Sequence, residues 1–186
     1  MAAMDAPDVG PWPPAIEGSR MTAGSTPNLW VQIDPGLGFE DPRMVELLDY
    51  WRRKRGGRTM PSRADIDPID LKAHLGNLCL IDVEQNPLRM RYRLIGSNIT
   101  QKMGRDATGR YYDEIYAGQL LEDVQASFRW IVEHRAPLRT HGQAFYPDKN
   151  FYRYEIINLP LADDGTTVNM VLGNLTFRLA GQPPAP

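Results

Sequence analysis

Cysteine is nearly missing from this sequence: Cys79 is the only one in 186 residues. A lone cysteine excludes an intrachain disulfide framework and any Cys-rich zinc or iron–sulfur site. Histidine is scarce too. His74, His134 and His141 have no partner at i, i+4 and no neighbouring cysteine, so no metal motif is formed. No apolar run approaches the roughly 18 residues that a transmembrane helix needs. The N-terminus lacks the basic and apolar regions of a signal peptide, which makes a cytoplasmic protein the expectation. A formal net charge of −2 leaves no basic excess to favour nucleic acid as a partner. Also missing are a GxSxG elbow, a phosphate-binding GxxxxGK[ST] loop and a strand–GxGxxG–helix unit. Asp163 and Asp164 sit in a D-D-G sequence that reads as a hairpin turn, not as a catalytic carboxylate pair. Cys79 lies in an apolar run, where a buried structural thiol is expected and a nucleophile is not. No catalytic residue and no metal site are expected, and the chain does not read as an enzyme.

What is present is unevenly spread. Residues 1–40 hold six of the 16 prolines, five glycines, and five acidic groups against one arginine. Such a segment buries too little apolar surface to offset its ordering entropy, so it reads as a disordered or loosely attached leader. Trp12, Trp30 and Phe39 are the side chains in it that could dock, and translation from either Met1 or Met21 fits the sequence. Residues 41–178 carry the periodic patterns of one domain, and 179–186 form a proline-rich tail. No room for an output domain follows the last patterned segment, so a separate partner protein is expected to read any signal.

Asp41-Pro42 supplies an N-cap followed by proline at the first helical position. Met44, Leu47, Leu48 and Trp51 recur at helical spacing, the run Arg52–Arg55 complements the helix dipole, and Gly56-Gly57 stop the helix. Asp67-Pro68 predicts a second, two-turn helix ending at Gly76. Residues 78–83 and 89–95 then predict a hairpin, with Met90, Tyr92 and Leu94 on one face and Arg89, Arg91 and Arg93 on the other. Residues 96–118 form a connector punctuated by glycine. A helix over about 119–134 carries Leu120, Leu121, Val124, Phe128 and Ile131 on one stripe. Three strands follow at about 138–146, 151–160 and 168–178. The order predicts an α+β fold with a five-stranded antiparallel sheet, a helical connector on one face and an N-terminal flanking helix.

This order, with the local sequences YWRRKRGGRTMPSRADID (50–67), RYRLIG (91–96), GRDATGR (104–110) and EIINLPLADDG (155–165), resembles a known family. It is the mainly alphaproteobacterial PAS-like family first catalogued as a domain of unknown function. The resemblance covers about residues 41–178 and implies a sensory or signalling fold without catalytic residues of its own. It implies a small-molecule ligand, a protein partner in a signalling pathway, or both, and a homodimer. The alternative is a ligand-free dimerisation module. A pocket between sheet and connector would be lined by Met90, Tyr92, Leu94, Val124, Phe128 and Ile131, which would otherwise make a solid core. Arg58, Pro61, Arg63, Asp65 and Asp67 match the family's R-x-x-P-x-R-x-D-x-D pattern and suggest a brace for the first helix, with Trp51 as its anchor. Gly96, Gly104, Asp106 and Gly109 would shape the connector, chiefly through positive φ and turn capping. A flavin adduct is not expected, because the reactive cysteine of light sensors with this fold lies on the connector and Cys79 does not. Haem is not expected either, since His134 falls at the end of its helix, where it can serve as a cap.

Overall fold

The structure, a computed structural model, describes residues 31–145 and 151–179. Trp12, Trp30 and both candidate start methionines lie outside the described residues, as does the tail from residue 180.

Nine regular elements run in the order β1 (Gln32–Asp34), α1 (Pro42–Arg55), β2 (Leu78–Gln85), β3 (Leu88–Ile95), α2 (Ser97–Met103), α3 (Gly118–His134), β4 (Leu138–Phe145), β5 (Phe151–Leu161) and β6 (Met170–Leu179). Short 3₁₀ turns stand at Arg63–Asp65, Leu75–Asn77 and Tyr112–Glu114. The strands form one antiparallel sheet in the order β1-β4-β5-β6-β2-β3. The fold is α+β, with six strands where the sequence predicts five. The extra strand comes from the leader. Gln32, Ile33 and Asp34 pair with His141, Thr140 and Arg139 of β4. The Asp34 carboxylate then accepts hydrogen bonds from the amides of Gly36 and Gly38. Residues 31–40 therefore belong to the folded unit, and the boundary expected at residue 41 moves back.

The predicted helix over Asp67–Gly76 is not formed. This stretch is a chain of turns closed by i→i+3 bonds: Leu71 to Pro68, Lys72 to Ile69 and His74 to Leu71. So short a segment gains few hydrogen bonds for the residues it must fix, and tertiary ties hold it instead. The Asp67 amide donates to the Tyr50 hydroxyl, and His74 Nε2 lies 3.6 Å from Glu46.

Alternation along the strands gives the sheet two faces. On the outer face lie Glu155, Ile157 and Leu159 of β5, with Leu172, Asn174 and Thr176 of β6. All six are at most 4% exposed beneath α1. Helix α1 contributes Met44, Leu47, Leu48, Tyr50 and Trp51 to this layer. The Trp51 indole N–H donates to the Pro160 carbonyl at 2.8 Å, which fixes the helix to β5. On the inner face, α2, the turn at Tyr112–Glu114 and α3 bury Cys79, Ile81 and Tyr92 but leave Ile156 and Leu175 only partly covered.

Candidate functional site

Between the inner face and the helical connector lies a cavity of about 140 Å³. Its floor is sheet: Cys79 and Ile81 of β2, Tyr92 of β3, Thr140 of β4, Tyr154, Ile156 and Asn158 of β5, and Leu175 and Phe177 of β6. Its roof is Ile99 and Met103 of α2, Tyr112 and Tyr116, and Leu120, Val124, Ser127 and Phe128 of α3. Val31 and the exposed Gln143 border it as well. Tyr112 organises the aromatic wall, with ring centroids 4.5 Å from Tyr92, 5.3 Å from Tyr116 and 5.7 Å from Phe128. The last two contacts are edge-to-face, the favoured geometry for ring quadrupoles.

Three of the six residues expected to line a pocket do so: Tyr92, Val124 and Phe128. Met90 and Ile131 are fully buried in the surrounding core. Leu94 is 45% exposed and belongs to the other face. The register of β2 on β3 explains why. Leu80 faces Leu94 but Ile81 faces Tyr92, so Arg93 is an extra residue in a β-bulge. A bulge shifts the side-chain alternation by one, which separates Leu94 from Met90 and Tyr92.

Burial dominates the electrostatics of the cavity. It pushes the Cys79 thiol up to about 12 and raises the tyrosine hydroxyls of Tyr92, Tyr112, Tyr116 and Tyr154 above their usual range. All five groups are neutral at pH 7. Cys79 thus touches the cavity, but as a thiol and not as a thiolate nucleophile. His134 is not among the cavity residues; its ring stacks on Trp130 at 4.2 Å and its Nδ1 lies 2.9 Å from the Trp130 carbonyl.

The R-x-x-P-x-R-x-D-x-D residues come together at the far end of α1. Arg58 donates to the carbonyls of Lys54 and Arg55, covering the helix C-terminus, and pairs with Asp65 at 2.9 Å. Arg58 and the Ser62 donors hold the Asp65 carboxyl down at about 2. The Ala162 amide donates to the Pro61 carbonyl, and the Arg63 amide donates to Asp163. Asp67 accepts from the Ile69 amide. These contacts link α1 to the β5–β6 turn, where Asp164 accepts from the amides of Thr166 and Thr167 as a turn residue.

The connector glycines have separate reasons. A Cβ on Gly96 would lie 2.4 Å from the Leu75 and Gly76 carbonyl oxygens, so only glycine permits this backbone approach. Gly104 ends α2 at φ 71°, and Gly109 has φ 84°. Asp106 accepts from the amide and hydroxyl of Thr108. The arginines of β3 do not form a free basic patch. Arg89 pairs with Asp113, and Arg91 and Arg93 converge on Asp82.

Reading the sequence element by element misses one cluster altogether. Glu155, 3% exposed, accepts hydrogen bonds from the amides of Glu40 and Asp41 and from Arg139 Nε at 2.6 Å. Arg139 also reaches Asp34 and Glu40. The available signal was an ionisable residue inside an otherwise apolar strand run, since a buried charge demands a partner.

Among the described residues no group of three or more potential ligands could hold a metal ion, and no helix is long and apolar enough to cross a membrane. No curated protein matches the sequence. Among solved structures, an RNA-binding light-oxygen-voltage receptor aligns at 14% identity over 61% of this chain and 33% of its own, with a TM-score of 0.44. This chain therefore spans about a third of that receptor's length. A variant of the light-oxygen-voltage protein RsLOV aligns at 12% identity over 61% of this chain and 68% of its own, with a TM-score of 0.43. A family model described as a PAS domain matches residues 40–176, which takes in α1, the whole connector, strands β2 to β5 and most of β6. The chain belongs to the PAS domain family.

Proposed function

We propose that this protein is a PAS-type sensor that takes a small molecule into the cavity and reports its presence through α1 to a partner protein. A sensory or interaction role is the general one for PAS domains. One observation carries the specific reading: β5 and β6 serve both sites at once. Tyr154, Ile156 and Asn158 line the cavity, while Glu155, Ile157 and Leu159 alternate with them on the face that holds α1. A ligand that shifts the first set moves the second, because neighbouring residues share one backbone. Differential contact of this kind is what a population shift requires. The Arg58–Asp65 brace and the Trp51 anchor keep α1 seated in the resting arrangement.

The test has two stages. Native mass spectrometry of the purified full chain identifies any co-purified small molecule. Hydrogen exchange with and without that molecule is then compared over residues 41–57. The reading requires a change in protection there. Unchanged exchange with an occupied cavity removes the relay, and a clean apo dimer moves the weight to a ligand-free interaction module.

A further inference from the structure

We infer that the cavity selects an uncharged aromatic molecule of one or two rings. The inference rests on the sensor reading and adds to it the chemical class of the ligand.

Size sets the first limit. An apolar cavity of about 150 Å³ in another protein stays dry and binds benzene, and this one is about 140 Å³. A void of that scale holds a single ring, or a fused pair with modest movement of its walls, and excludes nucleotides and macrocycles.

Charge sets the second. None of the lining residues is Asp, Glu, Lys, Arg or His. Burial holds Cys79 and the four lining tyrosines in their neutral forms. An ionic ligand would lose its hydration and meet no opposite charge, which is the costly case for a buried ion.

Hydrogen bonding sets the third. Several polar groups around the void are already engaged with the protein. Ser127 Oγ donates to the Asp123 carbonyl. Asn158 Nδ2 donates to the Leu138 carbonyl and to Thr140 Oγ1. The Tyr92 and Tyr116 hydroxyls bond to each other at 2.8 Å. With these bonds in place the site offers few partners to a polar guest, so it does not fit a sugar or a polyol. Rings and sulfur, from Tyr112, Phe128, Met103 and Cys79, share the surface that remains with aliphatic side chains such as Ile81, Ile99, Leu120, Val124, Ile156 and Leu175. Aromatic edges and polarisable sulfur favour a flat π-system over an aliphatic one of equal size.

Ligand-observed NMR titration of the full chain tests this with phenol and indole against benzoate, benzyltrimethylammonium, cyclohexanol and flavin mononucleotide. Phenol or indole should bind at least tenfold more tightly than each of the other four. Val124→Phe and Leu175→Phe, placed on opposite walls, should each weaken the better aromatic at least tenfold; two variants guard against a folding defect in one. Tighter binding of a charged or aliphatic probe, no binding of either neutral aromatic, or unchanged affinity in both folded variants would overturn the assignment. Its failure is separable from that of the sensor reading. A co-purified ligand of another class that still alters exchange in α1 keeps the sensor and removes the aromatic. Phenol or indole binding in the cavity with unaltered α1 exchange keeps the aromatic and removes the relay.

Discussion

The two faces of the central sheet are built to different standards. Beneath α1, Ile157 and Leu159 are fully buried and Leu172 is 2% exposed, and an ion pair is sealed in beside them. Across the same strands, Ile156, Leu175 and Phe177 are only partly covered and border a void. The outer face is packed as a core. The inner face leaves room for an occupant. Dense packing transmits strain, whereas a void absorbs it.

The sharpest way to break this contrast is to attack the ion pair. Glu155→Ala leaves Arg139 buried without its closest partner and strips an acceptor from the amides that lead into α1. Removing one member of a buried pair costs about 3–5 kcal/mol, to be measured by urea denaturation. Replacing both members, as in Glu155→Leu with Arg139→Met, should recover most of that loss. A loss under about 1 kcal/mol for the single variant would show that the outer face is no more demanding than the inner.

Overpacking provides the next comparison. Leu47→Phe adds bulk where the side chain is 1% exposed, and should cost about 1–3 kcal/mol. Val124→Phe adds bulk beside the cavity and should change stability by less than about 1 kcal/mol, since the ring has space to enter. Equal penalties in parallel denaturation curves would mean that the cavity walls are as rigid as the core.

Much of this asymmetry was legible in the sequence, and the exceptions share a cause. The Asp41-Pro42 cap, the stripe from Met44 to Trp51, the β2–β3 hairpin and the order of the last three strands follow from local rules. The side chain of Asp41 does accept from the Arg43 amide, as its cap position requires. What was not legible depends on partners distant in the chain. The bulge at Arg93 displaces only the far end of β3, so the alternation in the sequence puts Leu94 on the face opposite to the one it occupies. Strand β1 is three residues long with no period of its own, and pairing with β4 creates it. Glu155 stands within the segment EIINLPLADDG, but its role depends on Arg139 from another strand and on backbone amides more than a hundred positions earlier. The cavity is a difference between volumes, and no residue pattern records it.

Asn174 tests whether the outer face is optimised or merely full. It is 1% exposed, and neither its amide nitrogen nor its oxygen has a hydrogen-bond partner among the described residues. A buried polar group without a partner costs about 1–3 kcal/mol. Asn174→Leu, similar in size and flanked by Leu78 and Ile157 in register, should therefore raise the denaturation midpoint. A loss of stability would identify a hydrogen-bonding role for this amide on the face beneath α1.

The smallest expected effect separates the faces by pH. The titratable groups lining the cavity are Cys79 and four tyrosines, all shifted upward, so none of them changes charge between about pH 5 and 8. Two histidines shifted downward lie on the α1 side. His141, between Gln32 and Glu155 in the sheet, is lowered by burial and then by Arg139, with Asp34, Glu155 and Glu40 opposing. His74, against Glu46 of α1, is lowered chiefly by burial, with Arg43 adding to it and Glu46 and Asp41 opposing. With a folded pKa below the unfolded value near 6.5, each histidine binds fewer protons folded than unfolded. Stability is then fully present above about pH 6.5 and declines as pH falls through the folded pKa. Denaturation midpoints measured between pH 7.5 and 5 should fall on acidification, less steeply in His141→Gln, and least in the His74→Gln, His141→Gln double variant. A double variant with the parent's slope would move the acid sensitivity off these histidines and remove pH as a distinction between the two faces.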